Sequence, residues 1–175
     1  MVFTTIVAAC LALLMGVSGL SKVRNFRAFQ GVVKQYEVMP TGVVPLASAA
    51  VVAAELCVPV LSFVSLSSAL FLAAFLLGGY ACGIAINLLR GRTHIDCGCS
   101  LNAKTDQRIH WGMVGRNTVL VLGALAGVWA MPISAMALTG HWLETVSLAV
   151  SVGLLALLYT AFEHALRFAA YKKGA

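Results

Sequence analysis

Charge is what this sequence has least of. Lysine, arginine, aspartate and glutamate make up 10% of its 175 residues, where a soluble domain carries about a quarter. Only six of its residues are acidic and four are prolines. The scarcity excludes a soluble domain with an ordinary hydrated surface, and it excludes a charged disordered chain. A separate soluble domain, low-complexity tracts and clear internal repeats are also missing, so residues 1–175 read as a single integral membrane domain. No basic n-region precedes the first apolar run, and that run ends in Lys22 rather than at a small-residue cleavage site. It is therefore expected to be a retained span and not a signal peptide.

What is present is apolar. The chain is 61% hydrophobic with a mean hydropathy of +0.94. Runs of this length predict an all-α, polytopic membrane helical bundle with about five transmembrane helices, over residues 2–20, 43–64, 69–89, 113–138 and 145–169. The interval from Lys22 to Met39 is too polar to span. Its apolar residues Val23, Phe26, Phe29, Val33 and Tyr36 recur at three-to-four spacing, with Arg24, Arg27 and Lys34 between them, which predicts an interfacial helix. Gly16 and Gly19 are expected to serve close helix packing. Trp142 suits an interfacial anchor, and Asn87 an interhelical hydrogen bond.

The net charge of +6 would suit nucleic acid, but its placement points to a lipid bilayer as the partner and to no nucleic acid. Every Lys and Arg follows the first, third or fifth span: Lys22, Arg24, Arg27 and Lys34; Arg90, Arg92, Lys104, Arg108 and Arg116; Arg167, Lys172 and Lys173. By the positive-inside rule the N-terminus lies outside, and the C-terminus and the loop at 90–110 lie in the cytoplasm.

That loop carries the chemistry. It contains Cys97-Gly98-Cys99, two of the chain's five cysteines. A disulfide across one intervening residue makes a small strained ring, easily reduced and quick to exchange. Gly98 supplies the backbone freedom that ring needs. Arg90, Arg92, His94 and Lys104 would favour a thiolate if folded near it, while Asp96 opposes it or accepts a proton. A static staple is the weaker reading where thiols are kept reduced. His94, Asp96, Cys97, Cys99 and His110 also offer ligands for zinc or a soft metal, but their spacing fits no familiar zinc module. Neither a metal nor any other cofactor is assigned.

Three more cysteines lie within spans. At ~1.5 Å per residue, Cys82 falls on the order of 10 Å from the inner face, Cys10 roughly 16 Å and Cys57 roughly 20 Å. This is the order a relay would need, although buried cysteines are commonly inert hydrophobes. Glu55 is an acidic residue deep in a span, which by default marks function. It suits a proton donor near Cys57, or equally a structural partner of Lys22 or Arg116.

The stretches Gly19-Leu20-Ser21-Lys22, Phe29, Tyr36 to Pro40, Glu55, Asn87 to Arg92 and Ile95-Asp96-Cys97-Gly98-Cys99 together resemble the methylamine utilisation MauE family, which is related to DoxX-like membrane proteins. The resemblance implies an inner-membrane accessory protein that helps to mature the disulfide-rich small subunit of methylamine dehydrogenase in the periplasm. It also implies a thioredoxin-like, MauD-like partner there. Such a protein would be a thiol–disulfide oxidoreductase using Cys97 and Cys99, with cytoplasmic thioredoxin as an electron source. A non-redox scaffold for the thioredoxin-like protein and a soft-metal transporter remain the alternatives.

Overall fold

The computed structural model describes residues 2–95 and 109–130. Within them lie five α-helices: α1 (Val2–Arg24), α2 (Phe26–Gln35), α3 (Val44–Val64), α4 (Leu66–Leu89) and α5 (Trp111–Trp129). Four of these, all but α2, are long and apolar enough to cross a membrane. The chain is thus an all-helical polytopic membrane bundle. The expected fifth span, the end of the fourth beyond Ala130, and Asp96 to Arg108 with the cysteine pair lie outside the described residues.

A short connection makes α3 and α4 antiparallel neighbours. The turn between α3 and α4 shrinks to Ser65 alone. Sequence reading placed the polar run Ser65 to Ser68 in the turn, but Ser65 Oγ accepts from Ser68 N–H at 3.4 Å and caps α4. The two serines after Leu66 therefore open the helix. α1 packs against α3, where Gly19 permits the approach. A Cβ there would come within 3.0 Å of Leu56 and 3.3 Å of Glu55. α5 closes the bundle on α4 and α1, and buried Thr4 Oγ1 donates to the Gly127 carbonyl at 3.2 Å.

The core is small and aliphatic: Ala8, Leu11 and Met15 of α1, Val58 of α3, Leu70, Ala73 and Leu77 of α4 and Ala124 of α5. Large apolar side chains face outward instead. Phe63 is 87% exposed, Phe75 79% and Trp129 92%, a surface that is stable only in contact with lipid.

α2 is the amphipathic helix expected between the first two spans. It sits at the end of the bundle from which the 90–110 loop leaves. Its Phe29 is buried, and Tyr36, just past its end, lies 3.5 Å from where a Gly83 Cβ would stand on α4. A second small core forms beneath it from Ile84, Ile95 and Ile109, flanked by Tyr36, Leu88, Met113 and Val114.

Candidate functional site

The site grows from one costly residue. Glu55 lies mid-way along α3 and is fully buried, on the face it shares with Val44, Ser48, Val52 and Val58. A bare carboxylate in this setting is strongly disfavoured, so it must gather donors. Lys22 Nζ lies 2.5 Å from its Oε1, Tyr80 Oη donates to the same oxygen at 2.5 Å, and Ser18 Oγ donates to it at 3.3 Å. Lys22 also donates to Tyr80 Oη at 3.0 Å.

Three helices build this cluster. Lys22 comes from the last turn of α1, beyond the expected end of the first span at residue 20. There it is only 5% exposed. Its ammonium stands 5.0 Å from the centre of the Phe29 ring and 4.7 Å from that of Tyr80, within the range of cation–π attraction. The lysine that reads in sequence as the start of a polar connector is thus an internal residue. Its charge is balanced by Glu55 and its flanks are covered by aromatic rings. Arg116, the other partner considered for Glu55, is exposed.

Pro59 adds a backbone effect. It lies inside α3, and having no N–H it cannot bond the carbonyl four residues back, which is that of Glu55. The carbonyl of the residue carrying the buried charge therefore receives no hydrogen bond from position 59.

An apolar cleft of about 100 Å³ borders the cluster, lined by Phe29, Val33 and Tyr36 on the α2 side, Val51 on α3, and Gly79, Tyr80 and Gly83 on α4. Tyr80 thus joins the cleft to the ion pair. Tyr80, Phe29 and Ser18 are not among the site residues expected from the sequence. The available signal was the partner count: one carboxylate within a span needs more than one donor.

At the end of the bundle, Arg92 donates to Glu37 Oε2 at 2.5 Å, and Arg90 donates to the Glu37 carbonyl at 3.4 Å. Glu37 takes a positive φ of 45°, rare for a residue with a side chain. The hydrogen bond from Arg92 and then its charge hold the Glu37 carboxyl below the ordinary glutamate range. His94 and His110 are exposed. Ile109 N–H donates to the Ile95 carbonyl at 3.1 Å. This bond pins together the two ends of the segment that carries Asp96, Cys97, Cys99 and Lys104.

Cys10 is half-buried, while Cys57 and Cys82 are exposed on the outside of the bundle, and all three are free thiols. Glu55 points inward and Cys57, two residues on, outward. Asn87 is fully buried, but its Nδ2 donates to Gly83 of its own helix at 3.0 Å rather than to a neighbour. Among the described residues no group of three His, Cys, Asp or Glu side chains converges as a metal site.

A helical membrane bundle with a buried, triply bonded carboxylate and a polar loop pinned at one end defines the class of this molecule: a polytopic membrane protein with an internal polar site. The model of the family described as methylamine utilisation protein MauE matches residues 1–130, and the chain belongs to that family. A MauE protein of Paracoccus denitrificans is 42% identical over 125 residues, covering 70% of this chain and 66% of the relative. One from Methylorubrum extorquens is 34% identical over 143 residues, covering 78% and 74%. Another from Methylophilus methylotrophus is 34% identical over 172 residues, covering 92% and 84%. The chain thus spans about two thirds of the length of the Paracoccus relative. No solved structure matches.

Proposed function

We propose that this protein is a thiol–disulfide carrier of the bacterial inner membrane, supporting disulfide formation or correction in a periplasmic client. Its relatives are methylamine utilisation proteins, and the client in this reading is the small subunit of methylamine dehydrogenase, as the family resemblance implies. The thioredoxin-like protein that receives the electrons lies outside the membrane. The observation that carries the reading is the placing of Cys97 and Cys99 two and four residues beyond Ile95, the residue that anchors their loop to the bundle.

The exchange balances as a two-electron, two-proton step. A thiolate of reduced cytoplasmic thioredoxin attacks one sulfur of the Cys97–Cys99 disulfide. The bond between the pair breaks and a mixed disulfide forms. The second thioredoxin thiol resolves it, leaving thioredoxin oxidised and Cys97 and Cys99 as a dithiol. Passing the electrons outward, to a disulfide of the thioredoxin-like partner, restores the bond.

Labelling Cys97 and Cys99 with an impermeant maleimide, from each side of intact membranes and with and without prior reduction, tests the reading. Labelling from the cytoplasmic side only, increased by reduction, is expected. Cys97→Ser with Cys99→Ser should leave insertion intact and abolish maturation of the client. Labelling from outside would reverse the topology, and full maturation in the double variant would favour a non-redox scaffold.

A further inference from the structure

The apolar cleft beside the ion pair is open space that the chain does not fill. α2 rests on α3, and the cleft lies between it and α4. Its walls are aliphatic and aromatic, and Tyr80 on its wall turns its hydroxyl to Glu55. Water gains few partners in such a space, so an apolar group is what fills it. The volume of about 100 Å³ is smaller than the ~150 Å³ of an apolar cavity that admits benzene. A slim, flexible hydrocarbon chain suits it better than a ring system.

The mouth opens towards lipid. Gly79 lines the cleft and is itself exposed, and a Cβ there would meet nothing within 4 Å. Phe75, one turn earlier, is 79% exposed, and Cys82, about one turn later, is exposed as well. These three residues share the outward stripe of α4. A chain can therefore pass from the bilayer into the cleft without crossing the core.

The other face of α2 supplies charge. Arg27 and Lys34 are both exposed and lie two helical turns apart, on the side away from buried Phe29. No acidic residue occurs in α2. The ion pairs among the described residues use Lys22 and Arg92, so neither Arg27 nor Lys34 has a carboxylate partner there.

We propose that the cleft binds one acyl chain of an anionic phospholipid, whose headgroup is drawn by Arg27 and Lys34. The chain enters beside Gly79 and lies against Phe29, Val33 and Tyr36. Its phosphate stays at the level of α2, where long basic side chains reach headgroups by snorkelling. Positive charge at the interface selects the anionic lipid, and the shape of the cleft holds its chain. The occupant stands next to the seat of the cysteine segment, since Tyr36 and Ile84 belong both to the lining and to the small core around Ile95 and Ile109. Binding involves no thiol, so the site is independent of the proposed carrier function.

Native mass spectrometry of the full-length protein, released from nanodiscs of phosphatidylglycerol and phosphatidylethanolamine in equal parts, tests this. One retained phosphatidylglycerol per chain is expected, in severalfold excess over phosphatidylethanolamine. Gly79→Leu puts a side chain where there is room for it and should abolish retention. Val51→Phe fills the same space from α3, and serves where Gly79→Leu does not fold. Arg27→Gln with Lys34→Gln should keep a retained lipid but remove the preference for phosphatidylglycerol. Cys97→Ser with Cys99→Ser should change neither result, which separates this site from the thiol reading. Three results would each overturn the proposal: no phospholipid retained by the native protein, or another apolar molecule in its place; retention that survives the cleft-filling variants; or an unchanged preference in the Arg27, Lys34 variant.

Discussion

The ammonium of Lys22 and the carboxylate of Glu55 stand 2.5 Å apart, almost wholly out of contact with solvent. Each makes the other tolerable. Removing one partner leaves an uncompensated buried charge, whereas replacing both with apolar groups removes the problem along with the attraction. Lys22→Met is therefore expected to destabilise the protein by about 3–5 kcal/mol. Lys22→Met combined with Glu55→Leu should recover most of that loss. Unfolding in mixed detergent micelles measures both, and a double variant no more stable than Lys22→Met would show that the lysine acts through something other than this pair. Tyr80 and Phe29 belong to the same unit, since their rings flank the ammonium.

Between elements, the close approach of α1 to α3 at Gly19 sets the reach of Lys22 to Glu55. Contacts of another kind hold α2 to the end of α4. Tyr36 packs over Gly83, and Glu37 is bonded by Arg92 and Arg90. Because Arg92 lowers the Glu37 carboxyl pKa on folding, the sign of the linkage follows. The contact contributes stability above the unfolded glutamate value and loses it as pH falls through the lower folded value. The pair is exposed, 39% at Arg92 and 62% at Glu37, so its contribution is small. The clear readout is the titration itself. Arg92→Gln should raise the Glu37 carboxyl pKa towards its ordinary value, followed by NMR of side-chain-labelled glutamate; an unmoved titration would show that the bond does not persist in the membrane.

Across the whole molecule, one end differs from the other. Among the described residues the far end carries the single-residue turn at Ser65 and an aliphatic core, while the loop end gathers α2, Arg90, Arg92 and the pinned base of the cysteine segment. Ile109 is 2% exposed and packs with Ile84 and Ile95. Its truncation in Ile109→Ala should cost about 2–5 kcal/mol if the cavity stays open. It should also free the loop, raising the rate at which Cys97 and Cys99 react with a maleimide. An unchanged rate would show that this small core does not restrain the cysteine segment.

Much of this was legible from composition and periodicity. Unbroken apolar runs define helices that must satisfy their own backbone in lipid, so α1, α3, α4 and α5 could be placed closely. Three-to-four spacing identified α2, and the family resemblance rested on short motifs whose residues stand in the chain as written. The depth of Lys22 was not legible, because hydropathy treats a lysine as the end of a span. Glu55 was legible as a possible partner for it, but nothing local reveals that two aromatic rings will cover its flanks.

The linear order of residues by itself determined that this is a membrane bundle and where its helices run, since each follows from the chemistry of a local stretch in lipid. The choice of Lys22 over Arg116 for Glu55, the joining of Tyr80 and Phe29 to that pair, and the outward facing of Cys57 and Cys82 were decided only by the tertiary structure. Those features depend on which faces of separate helices meet, and that is set by packing between residues far apart in the chain.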